Sequence, residues 1–331
     1  MRSTSSRPRR AGPVAGRVPP YPLRYRSGAG PLTALRHPSG SPDTLALLSR
    51  CTFPAPDTAV HCAVSGGADS LALLLLASSA GCSVTAIHVD HGLRPGSEIE
   101  GDLVRDVAAR YGAAFRAERV DLAPGPNLEA RARAARFSVL PPGVLTGHTA
   151  DDQAETVLLN LMRGAGLDGL SGMSPTGHPI LRLRRRETVA LCEAEGITPF
   201  EDPSNSDPAF RRNRVRAELL PLLDAIAERD VAALLARQAY LLRAEGGLLD
   251  ELAAELDPTD ARALARAPEP LARRALRTWL SAQSEHPPTA STIGRALAVA
   301  RGDALATDLG GGRRLARTAG RLRVEPPLGD N

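Results

Sequence analysis

A short loop between an apolar run and a leucine-rich helix contains residue types that bind phosphate. Residues 59–64 form the apolar run, and residues 65–70 read Ser-Gly-Gly-Ala-Asp-Ser. Gly66 and Gly67 have no Cβ, so the backbone can turn tightly and direct successive N–H groups towards an anion. The helix that begins near Asp69 adds the positive end of its dipole. We therefore interpret this loop as a phosphate cradle.

The loop differs from the common nucleotide-binding motifs. It has no lysine after the glycines, and its spacing is not Gly-x-Gly-x-x-Gly. All 41 basic residues of the chain are arginine, which excludes Schiff-base and lysyl-adenylate chemistry on a protein side chain. The loop does resemble the Ser-Gly-Gly-x-Asp-Ser signature of the PP-loop ATP pyrophosphatases, which cleave ATP between its α and β phosphates. The alternative is a plain glycine turn that joins a buried strand to a buried helix.

That resemblance implies a set of ATP-binding residues. They are Ser65, Gly66, Gly67, Ala68, Asp69 and Ser70. An aspartate beside a triphosphate requires a cation between them, so we also expect Mg²⁺ at Asp69.

A second acidic motif opens a later helix. Residues 147–156 read Gly-His-Thr-Ala-Asp-Asp-Gln-Ala-Glu-Thr. The helical spacing places Asp152, Glu155 and Thr156 on one face, and it points Ala154, Val157, Leu158 and Leu161 towards the sheet. The two carboxylates could bind Mg²⁺, hold an ammonium group or take a proton. Capping of the first helical turn by Asp151 and Asp152 is the structural alternative.

Histidine and arginine supply two further candidate sites. His88 and His91 lie in a turn after a predicted strand, and no third soft ligand is near, so zinc is disfavoured. We expect His88 to contact adenosine or a phosphate. In a loop rich in arginine, Arg212 and Arg216 share one helical face, and their forked guanidinium groups suit phosphate. A solvated charged face is the alternative for these arginines.

The pattern of the chain predicts how these residues are positioned. Apolar runs that predict strands occupy residues 59–64, 83–89, 114–120 and 143–147. Amphipathic stretches that predict helices occupy residues 69–80, 97–112, 128–140 and 151–163. Strands that alternate with helices predict a doubly wound parallel α/β sheet. Because ligands bind at the carboxyl ends of such strands, the three motifs should meet at one edge.

The chain divides into three predicted regions. Residues 1–45 form an Arg/Pro-rich leader that we expect to be disordered, residues 46–215 the α/β domain, and residues 216–331 a smaller, mainly helical domain broken at Pro258 and Pro268. Strand-like runs flank a glycine turn at 310–312. Residues 271–323 contain ten arginines against three acids, an excess that suits nucleic-acid phosphates, although a solvated surface is an even alternative.

Composition excludes other classes. Four widely spaced cysteines form no Cys-x-x-Cys pair, which argues against a zinc or iron–sulfur site and suits a reducing cytoplasm. No uninterrupted apolar run is long enough for a membrane span, and no secretory signal is indicated. We expect a cytoplasmic protein without a membrane partner, and a homodimer is left open.

Five motifs taken together resemble one family, the tRNA(Ile)-lysidine synthetases. The matching stretches are residues 65–70, residues 88–93, a helix with Glu129, Arg133, Arg136 and Phe137, residues 147–156, and residues 201–216. The family resemblance implies a ligase that uses ATP to adenylate O2 of cytidine 34 in tRNA(Ile) with a CAU anticodon, releasing diphosphate. The ε-amine of free L-lysine then attacks C2 and expels AMP. The product, lysidine, switches codon reading from AUG to AUA.

The resemblance also implies roles for individual residues. Free lysine has an ε-amine pKa of about 10.4, so a carboxylate must hold the ammonium and a base must remove its proton. We assign Asp152 and Glu155 to this work, and Arg133 and Arg212 to the negative charge of the diphosphate or adenylate. A tRNA thiolase, a synthetase that amidates a small metabolite, and a non-catalytic nucleotide- and RNA-binding protein remain as alternatives.

Overall fold

Four parallel strands form the central sheet, in the spatial order β3-β2-β1-β4. The computed structural model describes residues 42–90, 98–120, 128–202, 207–284 and 286–326, and for residues 42, 98, 128–130, 132 and 133 it describes the backbone alone. The strands are β1 (Ala59–Ala63), β2 (Ser83–Asp90), β3 (Ala114–Arg119) and β4 (Leu145–Thr146). Each coincides with a run that the apolar pattern predicts as a strand, β2 extending one residue beyond its run, so the parallel α/β sheet is confirmed.

Helices connect the strands where the periodicity predicts them. After α1 (Pro42–Leu48), they are α2 (Ala68–Ser79), α3 (Glu98–Arg110), α4 (Leu128–Val139) and α5 (Ala150–Met162). The short α6 (Leu167–Leu170) and then α7 (Arg185–Ala194) follow. The predicted leader lies almost entirely at residues 1–41, outside the described part of the chain.

Helix α2 is buried on all sides, and this determines what lies above it. The leucines at 71–76 are exposed by 1% or less, so at these residues no face of the helix is open to solvent. A helix that is apolar all round must be covered by a second layer. Helix α7 packs along α2, and its buried Cys192 contacts the Ala68 carbonyl through Sγ at 3.6 Å. This packing brings the first turn of α7 above the start of α2.

The second half of the chain is helical and ends in a small antiparallel sheet. The helices are α8 (Arg211–Arg214), a π-helical turn (Val215–Leu219), α9 (Leu220–Ala227), α10 (Val231–Ala254), α11 (Ala261–Arg266), α12 (Glu269–Ser281) and α13 (Ala290–Arg301). Strands β5 (Ala306–Gly310), β6 (Arg313–Thr318) and β7 (Arg321–Glu325) follow. The breaks at Pro258 and Pro268 fall between helices, and the glycine turn joins β5 to β6, as predicted, with Gly310 as the last residue of β5. Helices α11, α12 and α13 share a core with Leu315 and Leu322 of this sheet.

Helix α5 joins the two halves of the chain. Ala154 and Leu158 lie in one buried cluster with Val215, Leu220 and Ala232 of the helical region. The expectation that this face of α5 points to the sheet is therefore wrong for Ala154 and Leu158, and Leu161 is 55% exposed. All described residues belong to one compact unit, and the domain division at residue 215 stays a prediction. Among these residues, no helix combines the length and apolar character that crossing a membrane requires.

Candidate active site

The loop between β1 and α2 is held in a fixed shape by its own serines. Ser70 Oγ accepts from the Ser65 N–H at 3.1 Å and donates to the Gly67 carbonyl at 2.9 Å. Gly66 has φ +81, in the left-handed region that favours glycine. Gly67 is the N-cap of α2 and supplies no side-chain cap, so the first N–H groups of the helix are available to an anion. The geometry therefore fits a phosphate cradle.

Gly147 lies directly against the backbone at the start of α2. A Cβ built on Gly147 would lie 2.5 Å from the Asp69 carbonyl oxygen and 2.9 Å from Ser70 Cα. Both atoms belong to backbone at the start of α2, which cannot rotate away as a side-chain end can. The motif at 147–156 therefore needs glycine at its first position.

We expect Gly147→Ala to displace the loop and to weaken ATP binding about tenfold, because the extra Cβ overlaps backbone that lies under the phosphates. Overpacking of this kind also costs about 1–3 kcal/mol of unfolding free energy. Calorimetric titration with ATP measures the affinity. Gly166→Ala is the matched control, since nothing lies within 4 Å of a Cβ there. Equal ATP affinity in the two variants would contradict the expectation.

Asp69 lies at the start of α2, and its carboxylate contacts α7. Its Oδ2 accepts from Arg185 Nε at 2.9 Å, and its Oδ1 accepts from Thr188 Oγ1 at 2.5 Å. Burial raises the pKa of Asp69, and the Arg185 guanidinium opposes that rise. Arg185 is therefore the main group that favours the charged form of this carboxylate.

Asp152 begins α5 and is held by its own helix as well as by arginine. Its Oδ2 accepts from the Thr149 N–H at 2.9 Å and from Thr149 Oγ1 at 3.0 Å, which forms a capping box. Its Oδ1 accepts from Arg185 Nη2 at 2.9 Å. Burial alone would raise the pKa of Asp152, but the charges of Arg185 and Arg212 outweigh it and lower the pKa to about 2. Asp152 is thus fully ionised at neutral pH.

Glu155 is 0% exposed and is surrounded by arginine. Its Oε2 accepts from Arg212 Nε at 2.7 Å, and its Oε1 accepts from Arg216 Nε at 2.6 Å. Arg185 Nη1 lies 3.5 Å from the same Oε1. Arg212 and Arg216 are four residues apart and both contact Glu155, which confirms that they share a face. The π-helical turn begins between them. Turns of this kind occur frequently at functional sites.

Arg185 is the cation that the three carboxylates share, and sequence reasoning missed it. Each of its three guanidinium nitrogens points to a different acid, namely Asp69, Asp152 and Glu155. One signal was present in the sequence. Three consecutive arginines, 184–186, begin α7, where the positive end of the helix dipole disfavours cations. Such a run indicates that acidic partners lie opposite.

We expect Arg185→Gln to lower the unfolding free energy by about 2–3 kcal/mol, since it leaves Asp69 and Asp152 without their shared, partly buried partner. Denaturant titration measures this loss. Arg186→Gln is the matched control, because the Arg186 side chain is 76% exposed and lies 3.8 Å from Asp230. If both variants lost the same stability, Arg185 would have no special part in holding the cluster.

Asp151 has a different role from its neighbour. It accepts from Arg184 Nη2 at 2.8 Å and from the Arg185 backbone N–H at 2.7 Å, so it joins the start of α5 to the start of α7. Arg184 also pairs with Asp230, the N-cap of α10. Asp152 is therefore the residue that caps α5, and Asp151 connects three elements instead.

Comparison with known proteins places the chain in a family. Residues 44–223 match the ATP-binding PP-loop domain. A tRNA(Ile)-lysidine synthase from Rhodococcus erythropolis (strain PR4 / NBRC 100887) is 46% identical over 242 residues, which cover 68% of this chain and 74% of that relative. The chain belongs to the tRNA(Ile)-lysidine synthase family. A tRNA(Ile)-lysidine synthase from Nocardia farcinica (strain IFM 10152) is 44% identical over 254 residues, covering 72% of this chain and 80% of the relative.

Solved structures also align with the larger part of the chain. The U34-tRNA thiolase NcsA from Methanococcus maripaludis, with its [4Fe-4S] cluster, aligns at a TM-score of 0.49 with 16% identity, over 61% of this chain and 79% of that chain. The tRNA(Ile)-lysidine synthase family and the PP-loop match establish an ATP-binding protein.

Two residues that the sequence assigns to ligands, His88 and Arg133, lie on β2 and α4. In this lysidine synthase family member, His88 is buried, and its Nδ1 lies 3.0 Å from the Val64 carbonyl oxygen, directly before the cradle. Burial lowers the pKa of His88. His88 therefore contacts the backbone just before the loop, and direct contact with ATP stays a prediction. Arg133 lies on α4, and its side chain is outside the described residues.

The residues present fit Mg²⁺ only when it is shared with a nucleotide. Within the described ranges, no three His, Cys, Asp or Glu side chains cluster closely enough to hold a metal ion by themselves. Mg²⁺ commonly binds through one or two carboxylates together with substrate phosphate oxygens. Asp69, beside the cradle, meets that requirement provided that its oxygens are released by Arg185 or Thr188. Mg²⁺ at Asp69 therefore remains a prediction of this lysidine synthase site.

Proposed function

We propose that the chain is an ATP-dependent carbon–nitrogen ligase that joins free L-lysine to C2 of cytidine 34 in tRNA(Ile) with a CAU anticodon. The products are lysidine in the RNA, AMP and diphosphate. One observation supports this most directly. Asp69, at the cradle, and Asp152, on α5, contact one organic cation, Arg185, in a member of the tRNA(Ile)-lysidine synthase family.

In the first step, O2 of the cytidine attacks the α phosphorus of ATP. The bond between that phosphorus and the bridging oxygen of diphosphate breaks, and diphosphate leaves with the electron pair. The cradle holds the phosphates through its backbone N–H groups. We assign Arg212, whose side chain is 30% exposed, and Arg133 to the negative charge that develops. Bound Mg²⁺ would supply further positive charge at the phosphates.

In the second step, the ε-amine nitrogen of lysine attacks C2, and the C2–O2 bond breaks. AMP leaves with O2 and the electron pair, and the proton that the ammonium loses before the attack passes to solvent. Lysine arrives as an ammonium ion because its amine has a pKa of about 10.4. Asp152, with a pKa of about 2, keeps its negative charge and is a weak base. This favours a role in holding and orienting the ammonium over removal of its proton. Glu155, paired with arginines, is a positioning residue.

The experiment that tests the proposal measures lysine incorporation into the RNA together with the release of AMP and diphosphate. Purified protein is incubated with ATP, Mg²⁺, radiolabelled lysine and an unmodified tRNA(Ile) transcript. The expected result is label in the RNA together with released AMP and diphosphate. A transcript with cytidine 34 replaced by uridine is the control and should stay unlabelled. Absence of label and of diphosphate release with the intact transcript would overturn the proposal.

The described cysteines support neither sulfur transfer nor a disulfide framework. All four are free, and burial raises the pKa of Cys62 and of Cys192 to about 12. Thiols with such pKa values stay protonated and are poor nucleophiles. The thiolase alternative is therefore not favoured. Free thiols also support our proposal of a cytoplasmic protein.

A further inference from the structure

A groove of about 460 Å³ lies beside the carboxylate cluster, between α10, the starts of α5 and α7, and the segment before α7. Two pairs of consecutive residues mark the boundary between the groove and the carboxylate cluster. Asp152 and Arg185 belong to the carboxylate cluster, whereas the preceding residue of each, Asp151 and Arg184, forms the ion pair at the edge of the groove. A ligand in the groove would therefore lie next to one bound at the cluster.

One face of α10 is free to form this groove because the helix packs through another. Small residues at intervals of seven are buried, namely Ala232, Ala239, Gly246 and Ala253. This narrow stripe packs against α5 and α12. Arg237 and Tyr240, three residues apart, lie on the groove side and are exposed. The packing of the helix does not depend on them.

The groove has an excess of positive charge that internal ion pairs do not remove. Six arginines and two acids line it. Arg50 pairs with Glu187, and Arg184 pairs with acids. In the part of the chain that the structure describes, Arg182 and Arg237 form no ion pair. Among the described residues, four of the ten arginines at residues 271–323 also form ion pairs, namely Arg273 and Arg301 with Glu269, Arg274 with Asp168 and Asp250, and Arg321 with Asp257, so pairing alone does not distinguish that region from the groove.

An aromatic side chain completes the groove. The ring of Tyr240 is 51% exposed, in a chain with only 3% aromatic residues. The Arg182 guanidinium lies over this ring, 5.0 Å from its centroid. Guanidinium and aromatic planes are the surfaces on which unpaired bases stack, and neighbouring arginines then bind the phosphates.

We propose that this groove binds a single-stranded segment of the RNA substrate next to the reacting nucleotide. One base extends the stack of Arg182 on Tyr240, and Arg186 and Arg237 bind flanking phosphates. The inference rests on the proposed function and adds the path of the RNA to it. An acidic peptide would use the arginines but gain little from the aromatic plane, so the ring distinguishes the two occupants.

The first test compares Tyr240→Leu with Tyr240→Phe. Stacking of one base is worth about 1–3 kcal/mol, so Tyr240→Leu should raise the KM for the tRNA transcript about tenfold or more. Tyr240→Phe keeps the ring and should stay within twofold of the wild type. The KM for lysine and kcat at saturating tRNA should not change. An unchanged KM in Tyr240→Leu, or an equal loss in Tyr240→Phe, would overturn the stacking part of the proposal.

The second test measures the salt dependence of RNA binding. Fluorescence anisotropy with a labelled anticodon stem–loop gives the dissociation constant at several salt concentrations. Arg186→Gln/Arg237→Gln should reduce the slope of log K against log salt by about 0.7 for each phosphate that the variant no longer neutralises. Arg105→Gln is the control, an exposed arginine on α3 that does not line the groove. An unchanged slope in the double variant would exclude the groove as a phosphate site.

The binding assay also separates this inference from the proposed function. If the wild type binds the stem–loop through the groove but forms no lysidine, the proposed function fails and the groove stands. If the wild type forms lysidine and the groove variants bind RNA normally, the groove inference alone fails.

Discussion

Asp152→Asn is expected to abolish lysine transfer, with a rate loss of about 10²-fold or more from misplacement of the reacting amine, while the protein remains folded. The asparagine amide is neutral, so it cannot hold an ammonium ion by charge. Its carbonyl oxygen can still accept from the Thr149 N–H, as Asp152 Oδ2 does at 2.9 Å, so the start of α5 should keep its cap. The assay follows labelled lysine entering the RNA, and circular dichroism follows the fold.

The two half-reactions make this expectation specific. Diphosphate release from ATP and tRNA in the absence of lysine should persist in Asp152→Asn, because the first step needs no ammonium site. Asp151→Asn is the matched control. It weakens the interaction with Arg184 but leaves the Asp152 carboxylate, which contacts the Arg185 side chain, so transfer should be retained. Normal transfer by Asp152→Asn would remove Asp152 from its assigned role.

Glu155→Gln is expected to lower the unfolding free energy by about 3–5 kcal/mol. The Glu155 side chain is fully buried, and its charge balances Arg212 and Arg216, which lie 2.7 and 2.6 Å away. Loss of Glu155 leaves the partly buried Arg212 and Arg216 with only the more distant Asp152, 3.7 Å from each, to balance their charge. Because the arginines come from the segment after residue 210, the loss should also loosen the helical region from α5.

Denaturant titration at neutral pH measures this loss. Glu218→Gln is the control, since Glu218 forms an exposed i,i+4 pair with Arg214, and such pairs contribute little. Glu155→Gln should therefore unfold at a clearly lower denaturant concentration than both the control and the wild type. A midpoint equal to that of Glu218→Gln would mean that Arg185, Arg212 and Arg216 do not need Glu155 to balance their charge.

The strands and helices of the α/β region follow from local patterns. Strand β2 was predicted at 83–89 and spans Ser83–Asp90, and α5 was predicted at 151–163 and spans Ala150–Met162. Apolar periodicity distinguishes these elements because each buries a defined face of its own. The cradle was equally readable, since Gly66 adopts a positive φ that favours glycine.

The partners of a buried face could not be read in this way. Periodicity indicated that Ala154 and Leu158 are buried, yet they pack against the helical region and not the sheet. A helical stripe records that a surface is covered and contains no information about which distant element covers it. The exposed Leu161 shows the same limit at the end of the helix.

By itself, the sequence determined the parallel α/β order, the glycine cradle and the acidic face of α5, because chain geometry and side-chain periodicity are local properties. The tertiary structure decided which cation meets those acids. Arg185 reaches Asp69, 116 residues earlier, only because the leucine-rich, buried part of α2 must be covered and α7 covers it. Contacts of that kind depend on the packing of whole elements, and no short stretch of sequence specifies them.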